Sequence, residues 1–141
     1  MGNALAILLI FASLQLSVST QKIERAFLQN NPKILYSFLP KNRSIKLTFP
    51  EPIAFSDQIS NQQTYFFFKK IFSTYSTFEF YPTRPGESQA ETKYIFKARW
   101  SFQDKRNNKY VFHIFFYFIQ SSPEKGEKPI WSIVEIRAEK V

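Results

Sequence analysis

Few residues in this chain have the means to move protons. There is one histidine, His113, there are two aspartates, Asp57 and Asp104, and there is no cysteine. A buried carboxylate with a raised pKa, or an imidazole oriented by a carboxylate, makes a general base near neutral pH. His113 lies in the run Tyr110 to Ile119 (YVFHIFFYFI), where strand alternation groups it with Val111, Phe115 and Tyr117. Glu135, in the run Ile130 to Ala138, falls on the neighbouring strand, where it could pair with His113 as a His–Glu dyad and so raise the imidazole pKa. No nucleophile or third group accompanies the pair, so the residues favour a structural histidine on a sheet face. Asp57 precedes the helix that opens at Ser60, which suits linking or capping duty. Asp104 sits in the segment DKRNNK, where a turn is expected. The catalytic candidates are thus His113, Glu135 and Asp57, each with a plain structural alternative.

Other chemistries are excluded by residue type. Without cysteine there is no disulfide, thiolate metal site or thiol nucleophile. One histidine with no second imidazole or thiolate argues against a metal centre. The three glycines, Gly2, Gly86 and Gly126, build no phosphate-cradling loop, and no cofactor is expected. The formal net charge of +8 suggests acidic partners. Yet the basic residues are scattered, with no run longer than two (Lys69-Lys70, Lys105-Arg106), which reads as a solvated surface. In Lys93 to Phe102 (KYIFKARWSF) alternation sends the aromatic residues to one face and the bases to the other. Nucleic-acid binding would need both together, and none is expected.

The elements that position these residues fit one domain. The chain has 141 residues, 44% hydrophobic and 18% aromatic, with 17 Phe, which is ample for one core. Residues Ala4 to Leu16 (ALAILLIFASLQL) are apolar and uncharged, too short to span a bilayer, and precede Ser17-Val18-Ser19. That layout predicts a signal peptide over 1–19 and a single domain over 20–141, exported to the periplasm or secreted, with no transmembrane segment after cleavage. The first residues lack Lys and Arg, so an uncleaved anchor stays open as the alternative.

Beyond Thr20 the periodicity is helical, then extended. Ile23, Ala26 and Phe27 share one helix side. Asn31 caps and Pro32 opens a second helix, Pro32 to Leu39. Ser44 to Phe49 alternates as a strand. Ser60 and Gln63 have capping-box spacing, and Tyr65, Phe68, Phe72 and Tyr75 form an aromatic stripe on the helix that follows. Four strands come next: Thr77 to Tyr81, Lys93 to Phe102, Tyr110 to Ile119 and Ile130 to Ala138, with loops at 83–90 and 121–128. Helices first and a meander last imply α+β, with helices on one face of a strongly curved antiparallel sheet.

This pattern resembles the nuclear-transport-factor-2-like (cystatin-like cone) superfamily. Within it, the chain resembles an exported bacterial family known as domain of unknown function 4783. The residues behind the likeness are the Asn30-Asn31-Pro32 break with Leu35 and Leu39, the strand Ile45 to Pro50, the Ser60-capped helix with Phe67-Phe68 and Ile71-Phe72, and Ile133-Val134-Glu135-Ile136. The resemblance implies a cone-shaped sheet wrapped around N-terminal helices, with space for a small apolar or anionic ligand. It also implies dimerisation through the open sheet face. Here that face is expected to carry Phe115, Tyr117, Trp131 and Ile133, joining a homodimer or a protein partner. Two functions follow: a non-catalytic binding or interaction module of the cell envelope, or an isomerase- or dehydratase-type enzyme using a pocket acid or base. A cone filled with Phe and Trp favours the first, and an open pocket holding an ionisable group the second.

Overall fold

The computed structural model of the protein describes residues 19–83, 87–90, 92–121, 126 and 129–141. The apolar run read as a signal peptide falls in 1–18, outside the described residues, as does most of the 121–128 loop. Residues 19–28 form helix α1, which buries Ile23, Ala26 and Phe27 completely. Asn31 then caps α2 (Pro32–Tyr36), its side chain accepting from the Lys33 N–H at 3.1 Å, with Pro32 at the first helical position. α2 is shorter than the expected Pro32 to Leu39. Phe38 and Leu39 continue as tight turns, donating to the carbonyls of Leu35 and Tyr36, and are buried.

β1 (Ile45–Phe49) buries Ile45, Leu47 and Phe49, as its alternation requires. β2 (Phe55–Ile59) is a strand where a link was expected, paired antiparallel with β1. α3 (Asn61–Thr74) starts with the expected capping box: Gln63 N–H donates to Ser60 Oγ at 3.2 Å and Ser60 N–H to Gln63 Oε1 at 2.9 Å. Its buried stripe is Thr64, Phe68, Ile71 and Phe72. β3 (Ser76–Pro82), β4 (Glu87–Ala90), β5 (Lys93–Gln103), β6 (Lys109–Gln120) and β7 (Trp131–Lys140) follow, β4 lying in the segment expected to be loop.

Among the described residues the strands form one curved sheet in the order β2-β1-β7-β6-β5-β3, with β4 also on β5. The α+β class and the helix-filled concave face are as expected. The sheet is not wholly antiparallel, however: β1 and β7 run parallel. This β1–β7 junction carries the sheet around the helices.

The hub of the core is Phe27. Its ring stacks on Phe80 at 4.5 Å between centroids and meets Phe68, Phe72, Trp100 and Phe116 edge-on at 5.1–6.0 Å. Such geometries suit the aromatic quadrupole and add to the area buried. Trp100 is fully buried, and its indole N–H donates to Thr77 Oγ1 at 2.8 Å, so burial leaves that donor satisfied.

Candidate functional site

Two surfaces merit chemical scrutiny: the convex face of the sheet and a groove beside α3. On the convex face, three cross-strand rows lie side by side. They are Ile95–Tyr117–Glu135, Lys97–Phe115–Arg137 and Arg99–His113–Glu139, each read from β5 through β6 to β7. Directly opposed side chains in a sheet stand close enough to interact. The Lys97 ammonium lies 5.3 Å from the Phe115 ring centre. The Arg137 guanidinium lies 5.2 Å from Phe115 and 5.7 Å from Tyr117. Arg137 Nε also faces Glu139 at 3.5 Å, and Arg99 Nε faces Glu79 at 4.0 Å. The centre of this face is therefore aromatic, roofed by the stems and heads of long cations.

The expected interface residues divide. Phe115 and Tyr117 lie on the convex face, half-buried. Trp131 and Ile133 do not: they are 7% and 0% exposed and belong to the core. The cause is a β-bulge. Tyr117 opposes Glu135 while Phe118 opposes Ile133, so Val134 is an extra residue in β7. Strict alternation from Ile136 back to Trp131 would place Trp131 and Ile133 outside; one inserted residue turns both inward. The Ile133 N–H at the bulge donates to the Phe38 carbonyl at 2.9 Å, tying the turn after α2 to the sheet.

The register separates the two members of the candidate dyad. Glu135 stands opposite Tyr117, whereas His113 stands opposite Glu139 on one side and Arg99 on the other. The imidazole pKa is lowered, not raised: burial comes first, then the charges of Lys97 and Arg99, with Glu139 opposing them. Asp57 lies on edge strand β2 and is exposed, its carboxylate accepting from the Gln58 N–H at 2.8 Å. None of the three candidates points into the cone. Among the described residues the buried polar side chains are Thr64 and Ser101, neither ionisable.

Asp57 does line the groove, about 600 Å³, between β2 and α3. Its walls are mainly Phe55, Phe66, Phe67 and Ile71, with Lys70 and Tyr75 supplying polar ends. Phe67 rests against Phe49 and Phe55 at 5.2 and 4.8 Å. The groove escaped the sequence reading because β2 did; the two-residue spacing of Phe55, Asp57 and Ile59, which puts all three on one strand face, was the available signal. Among the described residues, no group of three or more His, Asp or Glu side chains is arranged to hold a metal ion, and no helix is long and apolar enough to cross a membrane.

A sheet bent around its N-terminal helices and joined through β1 and β7 defines the nuclear-transport-factor-2-like cone, and the chain has that fold. No family model matches the sequence, and no curated protein is similar to it in sequence. Solved structures do share its fold. A protein of the domain of unknown function 4783 family from Bacteroides ovatus superposes with a TM-score of 0.64 at 12% identity, covering 84% of this chain and 92% of that one. A ketosteroid isomerase-like protein from Erwinia carotovora atroseptica gives 0.64 at 9% identity, covering 89% and 92%. A protein from Exiguobacterium sibiricum, likened to a calcium/calmodulin-dependent kinase II association domain, gives 0.63 at 10% identity, covering 92% and 93%.

Proposed function

We propose that this protein is an exported, non-catalytic interaction module of the bacterial cell envelope, and that it associates with a second copy of itself through the convex face of its sheet. The observation that carries the reading is the cluster of Phe115, Tyr117 and Arg137 at the centre of that face. Aromatic residues and arginine are enriched at interface centres, where they bury large rigid surfaces at little entropic cost. The face also carries both signs of charge, Lys97, Arg99 and Arg137 beside Glu135 and Glu139, so two copies related by a two-fold axis can set opposite charges together.

The cone supports association over catalysis. Phe27 and the five rings around it fill the core between helices and sheet, and among the described residues no ionisable side chain is buried there. A likeness to an association domain and a likeness to an isomerase both exist among the structural neighbours, and the filled cone weighs toward the first. Export rests on the apolar segment 4–16 and the small residues that follow it.

Sedimentation of the purified protein at micromolar concentration tests the association. The wild type is expected to be dimeric and Phe115→Glu monomeric with unchanged far-ultraviolet circular dichroism. A wild type that stays monomeric throughout that range overturns the reading.

A further inference from the structure

His113 is the only imidazole in the chain, and it sits on the middle strand of the proposed interface, in the row next to that of Phe115. Its own strand places Phe115 two residues away on the same face. From β5 it faces Arg99 directly, with Lys97 next along that strand; from β7 it faces Glu139, with Arg137 next along. Beyond Arg99, on β3, Glu79 lies 4.0 Å from the Arg99 guanidinium. Among the described residues the neighbouring fixed charges are thus three cations and two carboxylates. Each carboxylate is already within 4.0 Å of an arginine, Glu79 with Arg99 and Glu139 with Arg137. A proton on the imidazole would add a fourth cation to a cluster whose anions are taken.

We infer that His113 makes association through this face acid-sensitive: neutral, it lets a second copy dock, and protonated, it separates the two. The inference rests on the association reading above. Docking would strip water from an imidazole that is already half-buried and already beside Lys97 and Arg99. That loss of water disfavours the imidazolium more in the dimer than in the monomer. The direction follows by linkage. The dimer binds fewer protons than two monomers, so association weakens as pH falls through the histidine range and is level above it. In the monomer that range already lies below the ordinary imidazole value, because burial and the charges of Lys97 and Arg99 lower it. The loss is therefore expected to set in below the ordinary imidazole value of about 6.5. With one imidazole per copy, the steepest slope is about 100-fold in dissociation constant per pH unit.

The test is the dissociation constant by sedimentation at pH 7.5 and pH 5.0 for the wild type, His113→Gln and His113→Lys. The wild type should weaken by roughly 10-fold or more at pH 5.0. His113→Gln should dimerise equally at both values. His113→Lys should be weak at both. A second readout needs no variant. The lone imidazole gives its own proton resonance, and its titration midpoint should fall as protein concentration is raised through the dissociation constant. A wild type that dimerises equally at both pH values overturns the inference and leaves the association standing. So does an acid weakening that persists in His113→Gln, or an imidazole midpoint independent of concentration. A wild type monomeric at both pH values overturns the association and this inference together.

Discussion

Phe27 touches five aromatic rings from α3, β3, β5 and β6, so its side chain links the helices to three strands. Replacing it with alanine would leave a void that these rings cannot close without leaving their rotamers. Phe27→Ala is expected to cost about 3–5 kcal/mol in urea denaturation. A loss below about 1 kcal/mol, the level of an ordinary surface change, would show that the cone does not depend on this ring. Asp104 governs a different property. Its carboxylate accepts from Asn108 Nδ2, from the N–H groups of Asn108 and Arg106, and from Tyr110 Oη, holding the β5–β6 turn in which Asn107 takes a left-handed conformation. The Asn108 side-chain bond is the main reason its pKa lies below the usual carboxylate value. A lowered folded pKa gives stability that is present above the unfolded pKa of about 3.9 and is lost as pH falls through the folded value. The urea midpoint of Asp104→Asn should therefore lie below that of the wild type at pH 7, and the gap should narrow at pH 3. A gap of constant size would show that the turn does not depend on the charge.

Elements succeeded or failed as sequence readings according to how local their determinants are. The α3 cap was legible because Ser60 and Gln63 act within one turn. The β7 face was not, because alternation assumes an unbroken ladder and the extra residue is visible only against β6. Deleting residues here is a direct test. Without Val134, Ile133 is followed directly by Glu135, the pairs Phe118–Ile133 and Tyr117–Glu135 become successive rungs of a regular ladder, and Trp131, Ile133, Ile136 and Ala138 all still face inward. That deletion should therefore keep a cooperative urea transition. Deleting Val134 and Glu135 together sets Ile133 beside Ile136, so regular pairing drives either Trp131 and Ile133 or Ile136 and Ala138 out of the core. Two lost core side chains exceed about 5 kcal/mol, which is comparable with the stability of a whole small domain, and the double deletion should abolish the transition. Equal stability of the two variants would show that the inward face of β7 does not depend on this alternation. β2 was missed for a related reason: a short edge strand with a charged centre lacks the hydrophobic run that marks interior strands.

At the scale of the molecule, a core built without disulfides has to come from side-chain packing, and the rings around Phe27 supply it. The export reading adds a processing expectation. Protein recovered from its native envelope should begin near Thr20 by N-terminal sequencing, leaving Ile23, Ala26 and Phe27 in place on α1. Intact Met1 in a membrane fraction would favour a retained anchor. Cleavage inside α1, beyond Ile23, would remove a fully buried residue and contradict the domain boundary.

The class of fold, the helix caps and the burial of β1, β5 and β6 were legible from residue order alone. Each depends on neighbours within a few positions, where periodicity and capping chemistry act. The candidate site was legible only in part. Phe115 and Tyr117 lie where alternation put them, because β6 is regular along its length. Trp131 and Ile133 do not, because a bulge visible only against β6 turns them inward, and His113 does not meet Glu135, because cross-strand register sets Glu139 opposite it. The filling of the cone by Phe27, the parallel meeting of β1 with β7, and the cations over Phe115 likewise involve residues far apart in sequence. Nothing in the local pattern of either partner encodes such a meeting; it exists once the sheet has curved around the helices.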